Sequence, residues 1–108
     1  MKTVKISEDD LVLKNGSVDF LLASQVLHEV NDIPVTIKEI KRILKINGTL
    51  AVIEWQKIEP SEYGPPRNHR LDPGELISVL ENNAFEDIRF ETIGSNFYSI
   101  QAKSTPEV

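Results

Sequence analysis

The stretch Val18-Asp19-Phe20-Leu21-Leu22-Ala23-Ser24-Gln25-Val26-Leu27-His28-Glu29-Val30 begins as protein interior and ends as polar surface. After Asp19 the run to Ala23 shows no polar alternation. That is the pattern of a parallel strand covered on both faces, so a strand is predicted over Val18–Ser24. The change to Ser24-Gln25 then marks the strand's carboxyl end. Open α/β sheets bind ligands outside such ends.

Working outward, Asn31-Asp32-Ile33-Pro34 reads as a helix start: Asp or Asn caps, and Pro is tolerated in the first turn. Ile33, Ile37, Ile40 and Leu44 follow at helical spacing, and Asn47-Gly48 is the expected stop. Thr49 to Trp55 is a second buried strand. Strand, helix and strand with short connections make a βαβ unit with parallel strands and a right-handed crossover. Lys38, Lys41 and Lys45 are expected on a solvated face, since Glu39 interleaves with them.

A polar loop from Lys57 to Arg70 precedes a second helix. Asp72 caps it, Pro73 takes its first position, Glu75 completes a capping box, and Leu71 staples onto Leu76. Leu76, Ile77, Leu80 and Ala84 are its expected core side. The last third alternates with period two. Ile88, Phe90 and Thr92, then Tyr98, Ile100 and Ala102, flank Gly94-Ser95-Asn96 as a hairpin. The expected layout is a lead-in over 1–17, the βαβ unit over 18–56, a loop over 57–70, helix plus hairpin over 71–103, and a frayed tail over 104–108.

The 108 residues make one domain, 40% hydrophobic and 27% charged. The net charge of −5 argues against nucleic acid or an anionic membrane as a partner. There is no cysteine, which excludes disulfides, thiolate metal ligands and a Cys nucleophile. No signal-peptide pattern is seen, so the cytoplasm is the expected compartment. With two histidines, His28 and His69, no metal site is expected.

The ordered set of elements resembles the carboxyl-terminal half of a class I S-adenosylmethionine-dependent methyltransferase, in the type 11 small-molecule branch. Asp19 matches the aspartate before that family's fourth strand. Glu39, Arg42, Leu44 and Lys45 match its Glu-x-x-Arg-x-Leu-Lys helix end, and Ala84-Phe85 matches its helix-closing small residue and Phe. Its Lys-Pro-Gly-Gly turn is here Lys45-Ile46-Asn47-Gly48. Its closing Gly is here Ala84, with Asn82 or Asn83 expected to take the left-handed conformation instead.

The resemblance implies a partial Rossmann-like α/β fold: a parallel βαβ unit, a helix and an antiparallel hairpin in one mixed sheet. It implies methyl transfer from S-adenosylmethionine to a small molecule. It also shows what the sequence lacks. The glycines Gly16, Gly48, Gly64, Gly74 and Gly94 stand singly, and no G-x-G follows a strand. The family grips its cofactor with such a loop, so the chain is expected to be inactive alone or to need a second chain. The alternative is a non-catalytic assembly or ligand-binding module.

By resemblance, Ser7, Glu8, Ser24 and Gln25 are the cofactor candidates, and His28, Trp55, Tyr63, Arg67 and His69 line the substrate pocket. His28 is also a candidate general base for a hydroxyl or carbon acid. In the family, the strand matched by Val18–Ser24 lies mid-sheet. Here it is expected to be an open edge that recruits a second copy as a homodimer, or a separate chain supplying the missing half.

Overall fold

The computed structural model describes residues 3–5, 14–30, 32–56 and 71–106. Strand β2, Val18–Ser24, forms where the apolar run predicts it. It lies parallel to β1, Thr3–Lys5, on one side and to β3, Leu44–Trp55, on the other. Strands β4, Phe85–Ile93, and β5, Phe97–Ser104, form the predicted hairpin, and β5 pairs antiparallel with β3. The result is one mixed sheet in the order β1-β2-β3-β5-β4.

Two sequence expectations change here. Val18–Ser24 is not the outer strand, because β1 pairs with Phe20, Leu21 and Leu22. The apolar strand's edge groups find partners within the chain, from a segment expected to be lead-in. At the other end, Ser104 belongs to β5 and is buried, and the Thr105 amide donates to the Ala84 carbonyl at 3.0 Å. The tail therefore starts later than expected.

Helix α1, Ile33–Ile43, starts as predicted: the Asp32 carboxylate accepts from the Val35 amide at 3.1 Å, with Pro34 in the first turn. It stops at Ile43 rather than at Asn47-Gly48, and Leu44 is already strand, paired with Val18. The cause is tertiary. The turn entering β2 turns its Gly16 and Ser17 amides onto the Arg42 and Ile43 carbonyls, at 2.9 and 2.8 Å, satisfying the helix's last acceptors. Residues 45–48 then bulge between the paired segments of β3. Asn47 takes the positive φ of 68°. Gly48 is needed for close approach, since a Cβ there would lie 2.8 Å from the Lys45 carbonyl oxygen.

Helix α2, Pro73–Asn82, is capped by Asp72, whose carboxylate accepts from the Glu75 amide at 3.1 Å. Its left-handed closing residue is Ala84 itself, at φ 58°, and not Asn82 or Asn83. Asn83 is occupied: its side-chain amide donates to the Val79 carbonyl at 2.8 Å.

Leu21, Ala23, Leu50, Val52, Tyr98, Ile100 and Ala102 lie on one sheet face and pack with Ile37, Ile40 and Ile43 of α1 and Leu76 and Leu80 of α2. Each such aliphatic side chain contributes about 1.5–3 kcal/mol by leaving water. The register puts Phe20, Leu22, Ile53, Trp55 and Phe97 on the opposite face, half-buried and outside that cluster. Both described helices thus cover the same face. Phe90, expected to be half-buried in the hairpin, is 46% exposed on the outer strand β4.

Candidate functional site

The carboxyl ends of β2 and β3 lie side by side, with Ser24 paired to Ile53. The last bond of this ladder runs from the Gln25 amide to the Ile53 carbonyl at 2.7 Å. Gln25 then takes φ 59°, and the chain leaves the sheet into a short 3-10 turn over Leu27–Glu29. Leu27 is fully buried in the core and anchors that turn.

The anchored turn delivers His28 onto Glu54, the penultimate residue of β3. His28 Nδ1 lies 2.9 Å from Glu54 Oε1 and 3.0 Å from Oε2. The His28 backbone amide donates to the same Oε1 at 3.1 Å. The Glu54 side chain is 0% exposed and that of His28 is 8% exposed. With a carboxylate as partner, Nδ1 is the proton-bearing nitrogen, which makes Nε2 the acceptor of the neutral ring. A buried carboxylate needs such partners, because an unpaired buried charge costs several kcal/mol (roughly).

Sequence reasoning singled out His28 and missed Glu54. The signal was present: Leu50, Val52 and Glu54 share one parity of the strand, so an acid stands where two core residues precede it. An apolar strand read as covered on both faces hides that parity.

Tyr98 sits opposite Glu54 on β5. Its hydroxyl donates to the Leu71 carbonyl at 2.8 Å. Burial pushes its pKa well up, and the negative charges of Glu54 and Asp72 push it the same way. Tyr98 is therefore a fixed donor and not a proton carrier at physiological pH.

Other expected site residues separate from His28. Trp55 follows Glu54 and points to the other sheet face, where its ring packs 4.4 Å from that of Phe97. Ser24 is half-buried on Trp55's side of the sheet, and Gln25 is exposed. Gln56 ties the strand end to the hairpin, donating from its backbone amide to Asn96 at 2.7 Å and from Nε2 to Phe97 at 3.0 Å. Ser7, Glu8, Tyr63, Arg67 and His69 lie outside the described residues. Ser24 and Gln25 stand together at the carboxyl end of β2.

The opposite end of the sheet carries a groove of about 730 Å³ lined by Lys38, Lys41, Arg42 and Ile46, among others. Its central cation is engaged. Lys41 Nζ donates to the Ala84 carbonyl at 2.9 Å, to Ser104 Oγ at 2.8 Å and to the Thr105 carbonyl, and it lies 5.2 Å from the Phe85 ring centre. Lys41 is thus a structural clamp and not part of a solvated face. Among the described residues no cluster of three or more His, Asp or Glu suits a metal. None of the described helices is long and apolar enough to cross a membrane.

Residues 1–52 match the family model for a methyltransferase domain. A highly reducing polyketide synthase, otaA, of Aspergillus carbonarius is 36% identical over 76 residues, which is 70% of this chain and 3% of that protein. The crystal structure of a SAM-dependent methyltransferase from Aquifex aeolicus superposes with a TM-score of 0.81 at 26% identity, over 93% of this chain and 53% of that one. A putative type 11 methyltransferase from Sulfolobus solfataricus gives 0.77 at 26% identity, over 91% and 57%. The chain thus spans about half the length of these solved relatives and a small part of the synthase.

Proposed function

Because the chain belongs to the type 11 class I methyltransferases, we propose that it takes part in methyl transfer from S-adenosylmethionine to an acidic carbon, with His28 as general base. The observation that carries this reading is the buried His28–Glu54 pair. When bound, S-adenosylmethionine supplies an electrophilic methyl group, and Ser24 and Gln25 would line one side of it. The chain's own task is the proton. Nε2 of His28 accepts it from the acceptor carbon. Nδ1–H stays on Glu54, whose carboxylate offsets the charge that develops on the imidazole.

The acceptor class follows from the base. An imidazole is a weak base beside a carbanion, so it removes protons at a useful rate only from an activated carbon, such as one between two carbonyl groups. An amine acceptor offers its own lone pair and would leave the pair without a task. The similarity to a polyketide synthase favours the carbon acceptor, because polyketide chains carry such carbons.

The cofactor site needs completion. We place a second polypeptide segment, carrying a glycine-rich loop, beside β1 and against Phe20, Leu22, Ile53, Trp55 and Phe97. Parallel sheets are normally covered on both faces, and no described helix covers this one. A second copy of the chain, paired through the β1–β2 edge, would add no such loop; light scattering separates the two arrangements.

The test is exchange of the acidic C–H of a 1,3-dicarbonyl probe in D2O, followed by mass spectrometry, beside calorimetric titration with S-adenosylmethionine. Exchange should drop about 100-fold in His28→Gln. Equal exchange by that variant would sink the base assignment. Absence of both exchange and cofactor heat, with the completing segment supplied, would leave the chain an assembly or ligand-binding module.

A further inference from the structure

Four residues other than glycine have positive φ among the described residues: Gln25, Asn47, Ala84 and Asp87. Three have ordinary reasons. Asn and Asp tolerate the left-handed region because their short polar side chains bond locally, and a helix such as α2 commonly closes on a left-handed residue, here Ala84. Gln25 has none of these reasons. It is a long side chain, exposed, at the end of a strand, at φ 59°.

We infer that Gln25 is a positioning residue, whose left-handed backbone turns the end of β2 so that both the amide and Nδ1 of His28 meet Glu54. Its role in catalysis rests on the reading of His28 as base. The Gln25 amide still completes the ladder to Ile53 at 2.7 Å, so the strand is intact up to this residue. Val26 is already right-handed, at φ −117° and ψ −29°, and Leu27 is buried. The chain's departure from the extended strand therefore begins at this one backbone. An extended conformation at Gln25 would carry the chain past Glu54 in line with β2. The 3.1 Å bond from the His28 amide and the Nδ1 contact at 2.9 Å both depend on the turn. Unfavourable backbone conformations persist where surrounding structure over-determines them, and they gather at functional sites. Here Leu27 on one side and the Ile53 bond on the other hold the turn in place.

The test reads the His28 ring by long-range ¹H–¹⁵N spectroscopy of the labelled chain, in a His69→Gln background that removes the other histidine's signals. The parent should show a single ring form protonated at Nδ1. Gln25→Asn and Gln25→Gly, which accept a left-handed backbone readily, should keep it. Gln25→Val and Gln25→Thr, whose branched Cβ disfavours that region most, should lower the tautomer ratio about tenfold. A folded Val or Thr variant with the parent's ring signature would overturn the assignment. So would loss of the signature in the Asn or Gly variant. No methyl transfer enters this readout. Its failure would leave the proposed function standing, and full exchange activity in His28→Gln would remove that function while leaving this geometry in place.

Discussion

Glu54 and Lys41 both bring a charge into the protein, at opposite ends of one sheet, and their partners differ in kind. Lys41 meets two backbone carbonyls and one hydroxyl. None of these three titrates near neutral pH, and together they hold the end of α2 to the end of β5. Glu54 meets an imidazole, the side chain whose ordinary pKa lies nearest neutrality. A half-buried cation makes a clamp at one end, and a fully buried carboxylate makes a pair able to hand on a proton at the other. A buried charge points to chemistry only when its partner can change protonation state.

The comparison breaks most visibly at Glu54. Glu54→Ala should cost about 3–5 kcal/mol, measured by urea unfolding, because the buried imidazole and the His28 amide lose their acceptor. It should also abolish the single ring tautomer. Lys41→Met should cost about 2 kcal/mol through its lost charge-assisted bonds, yet leave the His28 ring signature unchanged. A changed signature would mean that the two ends are coupled.

Tyr98 sharpens the picture at alkaline pH. Its folded pKa lies above the unfolded value of about 10. As pH rises past that value the unfolded chain loses the phenolic proton while the folded chain retains it, so stability, full at lower pH, falls. Thermal melts from pH 8 upward should show this decline. Tyr98→Phe should flatten it while losing about 1 kcal/mol at neutral pH with the bond to Leu71. The smallest effect is expected at Ala84. Ala84→Gly should gain about 0.5–1 kcal/mol, because glycine takes φ 58° without a Cβ penalty. A loss of stability there would mean that the Ala84 side chain packs more tightly than its half-buried position implies.

Much of the fold was legible. The β2 run, the Asp32 and Asp72 caps and the Gly94 turn follow local rules, and the structure places each where those rules do. Errors arose where a distant segment intervened. The α1 end moved because residues 16 and 17 cap it. Of the site, His28 was visible as a histidine beyond a strand end. Its partner was not, since residues 26 positions apart have no local signature.

The sequence by itself determined β2, the two capped helices, the parallel pairing of β2 with β3, the hairpin and the strand end where the site lies. These depend on periodicity and on backbone groups close along the chain. Only the tertiary structure decided that β1 would cover the edge of β2, that Lys41 would be spent on carbonyls, and that Glu54 and His28 would meet. Those outcomes depend on which buried polar groups find partners across the sheet, and that balance is set by packing, not by neighbours in sequence.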